Sequence, residues 1–168
     1  MHTLKTKRLI IRNFHPDDWQ ELLELATRYQ ATEYAKYDHA WPTTEEEVKG
    51  MAKWLSGEKG FRAVCLKSTG KLIGLLNMAR KKDTEGREHD FGYVFHPDYH
   101  DQGYGTEACR AGMSQIFGPW QAERIYTGTH PNNTPSVKLL HKLGFKEVAQ
   151  GEFAISREEW LALDQKSH

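Results

Sequence analysis

The sequence predicts a mixed α/β domain built in three layers. Two observations lead to this class: the middle of the chain carries strands joined by a tight hairpin turn, and two helical segments each lie between later strands. This order does not fit a doubly wound sheet, in which strands and helices alternate throughout. At 168 residues we expect one domain over residues 1–168, with roughly two-thirds of the unfolded surface buried.

The N-terminal third predicts one strand and two helices. Residues 8–14, RLIIRNF, form a short apolar and β-branched run that is typical of a strand. Pro16 and two acids then precede apolar residues at helical spacing over residues 19–26. Thr43 and Thr44 each have a glutamate three residues later, and these overlapping capping boxes predict the start of a second helix.

The middle of the chain predicts three strands. Residues 61–67 and 71–80 flank Ser68-Thr69-Gly70, a favourable hairpin turn. A charged loop follows over residues 81–88. HDFGYVF, residues 89–95, is then expected as a third, central strand.

The C-terminal part predicts a strand over residues 124–129 and a helix between Pro135 and Gly144. Proline is favoured in the first turn of a helix, and glycine just past its end. Residues 144–156 are expected as a strand pair, and residues 157–163 as a short closing helix.

The composition argues against several classes of function. The 23 basic and 23 acidic side chains leave no net charge, which disfavours a general nucleic-acid or acidic-membrane binder. No apolar run approaches the roughly 20 residues that span a bilayer. Cys65 and Cys109 lie far apart and are expected as reduced thiols. We therefore expect a cytoplasmic protein with neither nucleic acid nor membrane as a partner.

The stretch HPDYHDQGYGTEACRAGM, residues 96–113, leaves a predicted strand and opens a helix over residues 106–117. Gly103 and Gly105 allow the backbone to approach a ligand closely, and the first amides of the helix have no helical acceptor. Such a turn favours an anion, and a diphosphate fits it. A turn that merely packs the helix against the strand is the alternative.

Two nucleotide-binding motifs fit this loop poorly. A dinucleotide fingerprint needs a third glycine where Ala108 stands, and it belongs after a first strand. A P-loop needs a Gly-Lys-Ser/Thr sequence, which does not follow these glycines.

The stretch resembles the acetyl-CoA loop of the GNAT acetyltransferases, in which an apolar strand residue and x-P precede [QR]-x-x-G-x-[GA]. Phe95, Pro97, Gly103 and Gly105 match this pattern, whereas His100 stands where the family usually has Gln or Arg. Downstream, NTPSVKLLHKLGFKEV resembles the second signature of the family, N-x-x-S/A followed by K-x-G-F.

The resemblance extends to both ends of the chain. Residues 4–23, LKTKRLIIRNFHPDDWQELL, and residues 152–160, EFAISREEW, resemble the RimJ/RimL type of ribosomal-protein N-terminal acetyltransferase. GYGTEA, residues 103–108, is typical of the same branch. The resemblance implies a mostly antiparallel central sheet that splays between its two middle strands, with helices on both faces.

The resemblance also implies acetyl-CoA as co-substrate and no metal. The pyrophosphate is expected on backbone amides of five consecutive residues: Gln102, Gly103, Tyr104, Gly105 and Thr106. The pantetheine arm is expected to pair with main-chain groups near Val94 and Phe95, where an amide polarises the thioester carbonyl. Asn133 is expected to contact the coenzyme through its amide side chain, or alternatively to cap the following helix.

Two residues are candidates for catalysis. Asp90 begins the central strand and is expected to accept the proton of the amine through water; a surface carboxylate without a catalytic role is the alternative. His89 is adjacent, and since strand neighbours point to opposite faces, at most one of the two faces the acceptor. Many GNAT enzymes carry a tyrosine as acid where Leu140 stands here. Ser136, one turn earlier, is then the candidate that supports the leaving thiolate, or a residue of the helix cap.

The acceptor site is expected between the first strand and the second helix. Tyr37, His39 and Trp41 form an aromatic group there that either lines an amine site through cation–π contacts or fills the core. The predicted activity is transfer of acetyl from acetyl-CoA to a primary amine, either a protein N-terminus or a small molecule, by a monomer or homodimer. A non-catalytic acyl-CoA sensor is the alternative.

Overall fold

The computed structural model describes residues 2–166, so residues 1, 167 and 168 of the predicted domain lie outside the described residues. The N-terminal segment contains four regular elements. They are β1 (Leu4–Lys5), β2 (Leu9–Arg12), α1 (Trp19–Gln30) and α2 (Glu45–Gly57). Short 3₁₀ helices at Pro16–Asp18 and Ala35–Tyr37 connect them. The predicted strand and both predicted helices are confirmed.

The start of α2 differs from the predicted capping box. Thr44 is the N-cap residue, but its hydroxyl donates to Glu47 Oε2 at 2.6 Å and makes no capping bond to a backbone N–H. The first turn of α2 carries three glutamates, whose charges favour a helix N-terminus.

The rest of the chain begins with four strands and continues with three helices that are separated by further strands. In chain order the strands are β3 (Phe61–Leu66), β4 (Leu72–Asn77), β5 (Glu88–Asp90), β6 (Gly92–Phe95), β7 (Arg124–Gly128), β8 (Lys146–Ala149) and β9 (Glu152–Ser156). The helices are α3 (Tyr104–Phe117), α4 (Thr134–Leu143) and α5 (Arg157–Lys166). Gly144 ends α4 with a φ of 93°, in the left-handed region that glycine adopts without strain.

The strands form two sheets. One is an antiparallel sheet in the order β1-β2-β3-β4-β6, and the other has the order β5-β7-β9-β8, in which only the β5–β7 pair is parallel. The fold is therefore the predicted mixed α/β class with helices packed against an antiparallel sheet.

The prediction of one continuous strand over residues 89–95 is wrong. Asp90 pairs with Tyr126 of β7, whereas Gly92 pairs with Asn77 of β4. Between them, Phe91 donates its N–H to the Tyr126 carbonyl at 2.8 Å while its ring is buried in the core. The chain therefore changes sheets at Phe91, and β6 and β7 diverge from that point.

Two buried clusters lie on opposite faces of the first sheet. Alternate strand residues divide between them: Val64 and Leu76 pack with α3 and α4, and Ala63 and Leu75 pack with α1 and α2. This arrangement gives the three predicted layers. Among the described residues, no helix is long and apolar enough to cross a membrane.

His89 is fully buried beside the junction of the two sheets. Its Nδ1 lies 3.1 Å from the Met78 carbonyl, so Nδ1 carries the proton, and its ring stacks on Trp120 at 5.1 Å. Its Nε2 is buried and has no hydrogen-bond partner within the described chain. Burial lowers the pKa of His89, and the bond to Met78 opposes that shift only partly.

We expect His89 to make the fold sensitive to acid. Because its pKa is lower in the folded chain than in the unfolded chain, the unfolded state takes up this proton first as pH falls. Stability is therefore complete above the ordinary histidine pKa of about 6.5 and decreases below it. Thermal unfolding between about pH 8 and about pH 5.5 should show a smaller loss for His89→Phe than for the wild type.

The exposed His39 provides the control for this titration, and His39→Gln should keep the wild-type pH dependence. Equal pH slopes for His89→Phe and wild type would contradict the assignment.

Candidate active site

The glycine loop adopts the geometry that an anion site requires. Gly103 has a φ of 83° and is the N-cap of α3, and the Glu107 N–H donates to its carbonyl at 3.0 Å. The N–H groups of residues 103–106 therefore have no acceptor within the helix. Gly105 lies against the Phe95 ring, 3.4 Å from where a Cβ would stand. The end of β6 and the start of α3 thus meet at these amides, which favour a negative charge.

A salt bridge from the turn between β1 and β2 holds this loop. Glu107, in the first turn of α3, accepts hydrogen bonds from Thr6 Oγ1 at 2.6 Å and from the Arg8 N–H at 2.8 Å. Its second oxygen accepts from Arg8 Nε at 2.7 Å. Burial by itself raises the pKa of Glu107, but these hydrogen bonds outweigh burial and hold the pKa below its ordinary value.

Arg8 extends the same contact to the loop backbone. Its Nη1 donates to the Gln102 carbonyl at 2.9 Å, and its guanidinium carbon lies 4.2 Å from the centre of the Tyr104 ring. Thus Arg8 contacts the residues on either side of Gly103. Arg8, Thr6 and Glu107 were not identified from the sequence, because their contacts join positions about one hundred residues apart.

A cleft of about 450 Å³ lies beside the loop. Its lining includes Gly103 and Thr106, two cationic side chains, Arg110 of α3 and Lys142 of α4, and Glu107, whose carboxylate is paired with Arg8. Because Arg8 balances the charge of Glu107, Arg110 and Lys142 would offer positive charge to an anionic ligand on the loop amides.

The edge of β6 faces away from its sheet toward β7. Backbone groups of successive strand residues point to opposite sides, and His96 donates its N–H to Ile73 of the β4 side. The Phe91 N–H points instead to β7, and the backbone groups of Tyr93 and Phe95, two and four residues later, point to the same side. Of the two predicted contacts, Phe95 presents its N–H to the gap between β6 and β7, and Val94 presents its own to β4. Both side chains are buried in the core.

His100, which stands where the expected loop pattern has Gln or Arg, bonds to the backbone of β6. Its Nε2 lies 2.8 Å from the Phe95 carbonyl and donates to it. The imidazole therefore satisfies a backbone acceptor of a buried residue at the C-terminal end of β6.

The start of α4 brings three polar residues together. Asn133 is the N-cap, and its Oδ1 accepts the Ser136 N–H at 3.4 Å, so the expected capping role is present. The Ser136 hydroxyl lies 3.0 Å from the hydroxyl of Tyr93 on β6. Leu140 is fully buried in the core. Tyr93 was not predicted as a site residue; its signal in the sequence is a phenol alternating with Phe91 and Phe95 on one strand face.

Asp90 and His89 point to opposite sides of β5, as strand geometry requires. His89 is in the core, whereas the Asp90 carboxylate is exposed and lies 3.7 Å from Lys81 Nζ. Asp90 therefore remains the candidate base, and His89 is excluded from contact with an acceptor by its burial.

The predicted acceptor residues separate into three environments. Tyr37 stacks on His130 of the β7–α4 connection at 4.4 Å, while His39 is exposed. Trp41 packs against the core beside α1, in edge contact with Tyr29 at 6.5 Å. Trp41 therefore fills the core, which was one of the two expected roles, and Tyr37 links the α1–α2 segment to the β7–α4 connection.

The split sheet and the glycine loop define a class of site in which an extended ligand with a phosphate end fits against a strand edge, because the loop amides favour an anion and the edge of β6 offers backbone groups. No group of three or more His, Cys, Asp or Glu side chains that could hold a metal ion occurs in the described part of the chain.

Comparison with known proteins identifies the family. Residues 8–146 match the family described as an acetyltransferase (GNAT) domain. The chain is 29% identical to the uncharacterized N-acetyltransferase YnaD of Bacillus subtilis, over 95% of this chain and 99% of that protein. The chain belongs to the GNAT acetyltransferase family and is an N-acetyltransferase of that family.

Solved structures agree with this assignment. A GNAT-family acetyltransferase from Bacillus anthracis superposes with a TM-score of 0.83 at 25% identity, covering 94% of this chain and 99% of that chain. A putative ribosomal-protein-serine acetyltransferase from Vibrio cholerae superposes with a TM-score of 0.76 at 21% identity, covering 92% and 97%. The second likeness shows the fold alone.

The Glu107 contact predicts a large effect of a small substitution. Glu107→Gln keeps the shape of the side chain but turns one acceptor into an N–H₂ group, which cannot accept from its Thr6 or Arg8 donors. We expect the free energy of unfolding to fall by about 1–3 kcal/mol, measured by urea denaturation. Amide hydrogen exchange should also accelerate at residues 102–106.

Glu45→Gln is the matched control, because Glu45 pairs with Lys49 on the exposed face of α2. An exposed pair of this kind contributes less than about 0.5 kcal/mol. A Glu107→Gln variant no less stable than Glu45→Gln would refute the role of this contact.

Proposed function

We propose that this protein transfers an acetyl group from acetyl-CoA to a primary amine, either a protein N-terminus or a small molecule. The observation that carries the proposal is the anion loop at residues 102–106, held by Arg8 and placed at the end of β6, where the sheets diverge. GNAT acetyltransferases use acetyl-CoA, and this loop offers its pyrophosphate a set of backbone donors.

The residues present fit the coenzyme along its length. The pyrophosphate would take the amides of residues 102–106, and the cations Arg110 and Lys142 would meet its outer phosphate. The pantetheine arm would pair with the outward backbone groups of Tyr93 and lie along Val94 and the Phe95 N–H, close to Asn133, since the Phe95 carbonyl already accepts from His100. Acetyl-CoA supplies an acetyl thioester, an electrophilic carbonyl with a thiolate as leaving group.

Three residues have proposed roles in the transfer. The Phe95 N–H polarises the acetyl carbonyl, because it is directed into the gap between β6 and β7. Asp90 accepts a proton from the amine through a water molecule; its carboxylate is exposed at the end of β5, one residue before the chain crosses to the other sheet. The Ser136 hydroxyl donates to the leaving sulfur. Tyr37 and His39 line the approach of the amine, and Trp41 supports that segment from the core.

We propose that the protein belongs to the RimJ/RimL-type branch. Two segments that carry this resemblance, residues 4–23 and residues 103–108, are in direct contact through Arg8 and Glu107. This contact supports the proposal that the two segments act as one unit, in which the β1–β2 turn shapes the proposed coenzyme loop.

Thermal unfolding with excess ligand tests the coenzyme. Acetyl-CoA or coenzyme A at about 100 times its dissociation constant should stabilise the fold by about 2.7 kcal/mol, whereas NAD and ATP should not. Gly103→Ala should reduce this shift, because its φ of 83° strains an L-residue and its Cβ would lie 3.2 Å from Arg8 Nη2.

Gly70→Ala is the matched control, because Gly70 has a φ of 77° in the β3–β4 hairpin with no atom near its Cβ position among those described. It should carry a comparable backbone strain and retain the full coenzyme shift. Failure of both CoA species to stabilise the wild type would refute the proposed function.

Turnover tests the acceptor and the base. With acetyl-CoA and a panel of free N-terminal peptides and small amines, release of free thiol should depend on the amine. Asp90→Asn should lower kcat by about 100-fold with little change in coenzyme binding, while Asp83→Asn in the exposed β4–β5 loop should not. Coenzyme binding without release of thiol for any amine would favour the sensor alternative, and an unchanged kcat in Asp90→Asn would exclude this residue as base.

A further inference from the structure

Helix α4 carries no phenol at the position where many relatives place their acid, since Leu140 is apolar and fully buried there. The structure brings a phenol to the same helix from the neighbouring strand. The hydroxyl of Tyr93 on β6 lies 3.0 Å from Ser136 Oγ and 3.4 Å from the Ser136 carbonyl. This is a direct link between the strand edge at the gap and the first turn of α4.

Two acceptors on Ser136 lie within reach of the Tyr93 hydroxyl, and in the 3.0 Å contact either hydroxyl can be the donor. The Ser136 carbonyl is the more distant acceptor, and it lies in α4, where a helical carbonyl accepts the N–H four residues later. Ser136 Oγ is nearer and has two lone pairs. The arrangement in which Tyr93 donates to Oγ leaves the proton of Ser136 for another acceptor.

We propose that Tyr93 is a positioning residue for the acetyl transfer, which orients the Ser136 hydroxyl as a hydrogen-bond donor toward the leaving sulfur. The inference rests on the proposed function. It assigns to β6 the phenol that is missing from α4, but in a different role: Tyr93 acts through Ser136 and does not itself contact the sulfur.

The bond changes define what Ser136 must do. The amine nitrogen forms a bond to the acetyl carbon, the carbon–sulfur bond breaks, and its electron pair remains on sulfur. The amine loses its proton through water to Asp90. Ser136 O–H donates a hydrogen bond to the sulfur as negative charge develops there, and the thiolate takes a proton from water after release. No proton is required from Tyr93.

The environment of Tyr93 agrees with a fixed donor. Its ring stacks on Phe95 at 6.0 Å and lies 6.4 Å from Phe91 in a tilted contact, so the phenol is held on both sides. Burial raises the pKa of Tyr93 far above its ordinary value, although its bond to Ser136 acts in the opposite direction. The phenol therefore keeps its proton and remains a donor at working pH.

Steady-state kinetics provide the first test. Tyr93→Phe keeps the ring and removes the hydroxyl, and we expect kcat to fall by about tenfold with KM for acetyl-CoA changed less than about twofold. Ser136→Ala should lower kcat at least as far, and the double variant should be no slower than Ser136→Ala. A purely structural role would give independent, multiplicative losses. Ser56→Ala removes a hydroxyl at the C-terminal end of α2, where it donates to the Lys53 carbonyl, and should leave kcat unchanged.

The second test measures the bound thiol instead of activity. Ultraviolet difference titration of the complex with coenzyme A reports the thiolate fraction, and a donor at the sulfur lowers the pKa of that thiol. Both Tyr93→Phe and Ser136→Ala should raise the pKa of the bound thiol by about one unit relative to wild type. Ser136→Thr keeps the hydroxyl and should restore the wild-type value. If Tyr93→Phe fails to fold, 3-fluorotyrosine incorporated at position 93 keeps the hydroxyl and makes it a stronger donor to Ser136. It should then lower the pKa of the bound thiol below the wild-type value, and an unchanged thiol pKa would overturn the role of Tyr93.

The outcomes separate the inference from the proposed function. A wild type that neither binds coenzyme A nor releases thiol would overturn both. A wild type that binds and turns over, with Tyr93→Phe unchanged in kcat and in the thiol titration, would overturn the role of Tyr93 alone. Multiplicative losses in the double variant would overturn it as well. Non-additive losses together with a raised thiol pKa would establish it.

Discussion

Phe91 donates its N–H to Tyr126 of β7, and one residue later Gly92 lies opposite Asn77 of β4. The backbone leaves one sheet for the other between these two residues. The burial of the Phe91 ring stabilises this junction, because the ring packs into the core shared by α3 and α4. The outward edge of β6, the divergence from β7 and the position of the glycine loop all follow from this junction.

The glycine loop depends on a second constraint that local sequence does not provide. Gly103 can adopt the left-handed conformation that the turn requires, but glycine can also adopt many other backbone conformations. Arg8 restricts them by binding the Gln102 carbonyl on one side of Gly103 and Glu107 on the other. The turn between β1 and β2 therefore supports the site, although none of its residues has a proposed contact with the reacting groups.

Buried polar groups near the junction differ in how they are satisfied. Tyr93 shares a hydrogen bond with Ser136, which joins β6 to α4 across the core. His89 uses one ring nitrogen on the Met78 carbonyl and leaves the other without a partner in the described chain. A satisfied pair specifies one geometry, whereas a buried nitrogen without a partner reduces stability, and burial lowers the pKa of His89.

Local sequence determined much of this protein. The main elements follow from apolar periodicity, from the Ser68-Thr69-Gly70 turn and from Pro135 and Gly144 at the ends of α4. The family follows from the two glycines together with NTPS and KLGF. Each of these signals acts over a few residues and can therefore be read from the sequence.

Only the tertiary structure decided the rest. The break at Phe91 depends on whether β7 or β4 supplies the partner at each residue, and both partners are distant in the chain. The contacts of Arg8 with Glu107, and of Tyr93 with Ser136, join positions 99 and 43 residues apart. Such pairs leave no periodic trace in a sequence, because packing brings them together only after the helices and strands have formed.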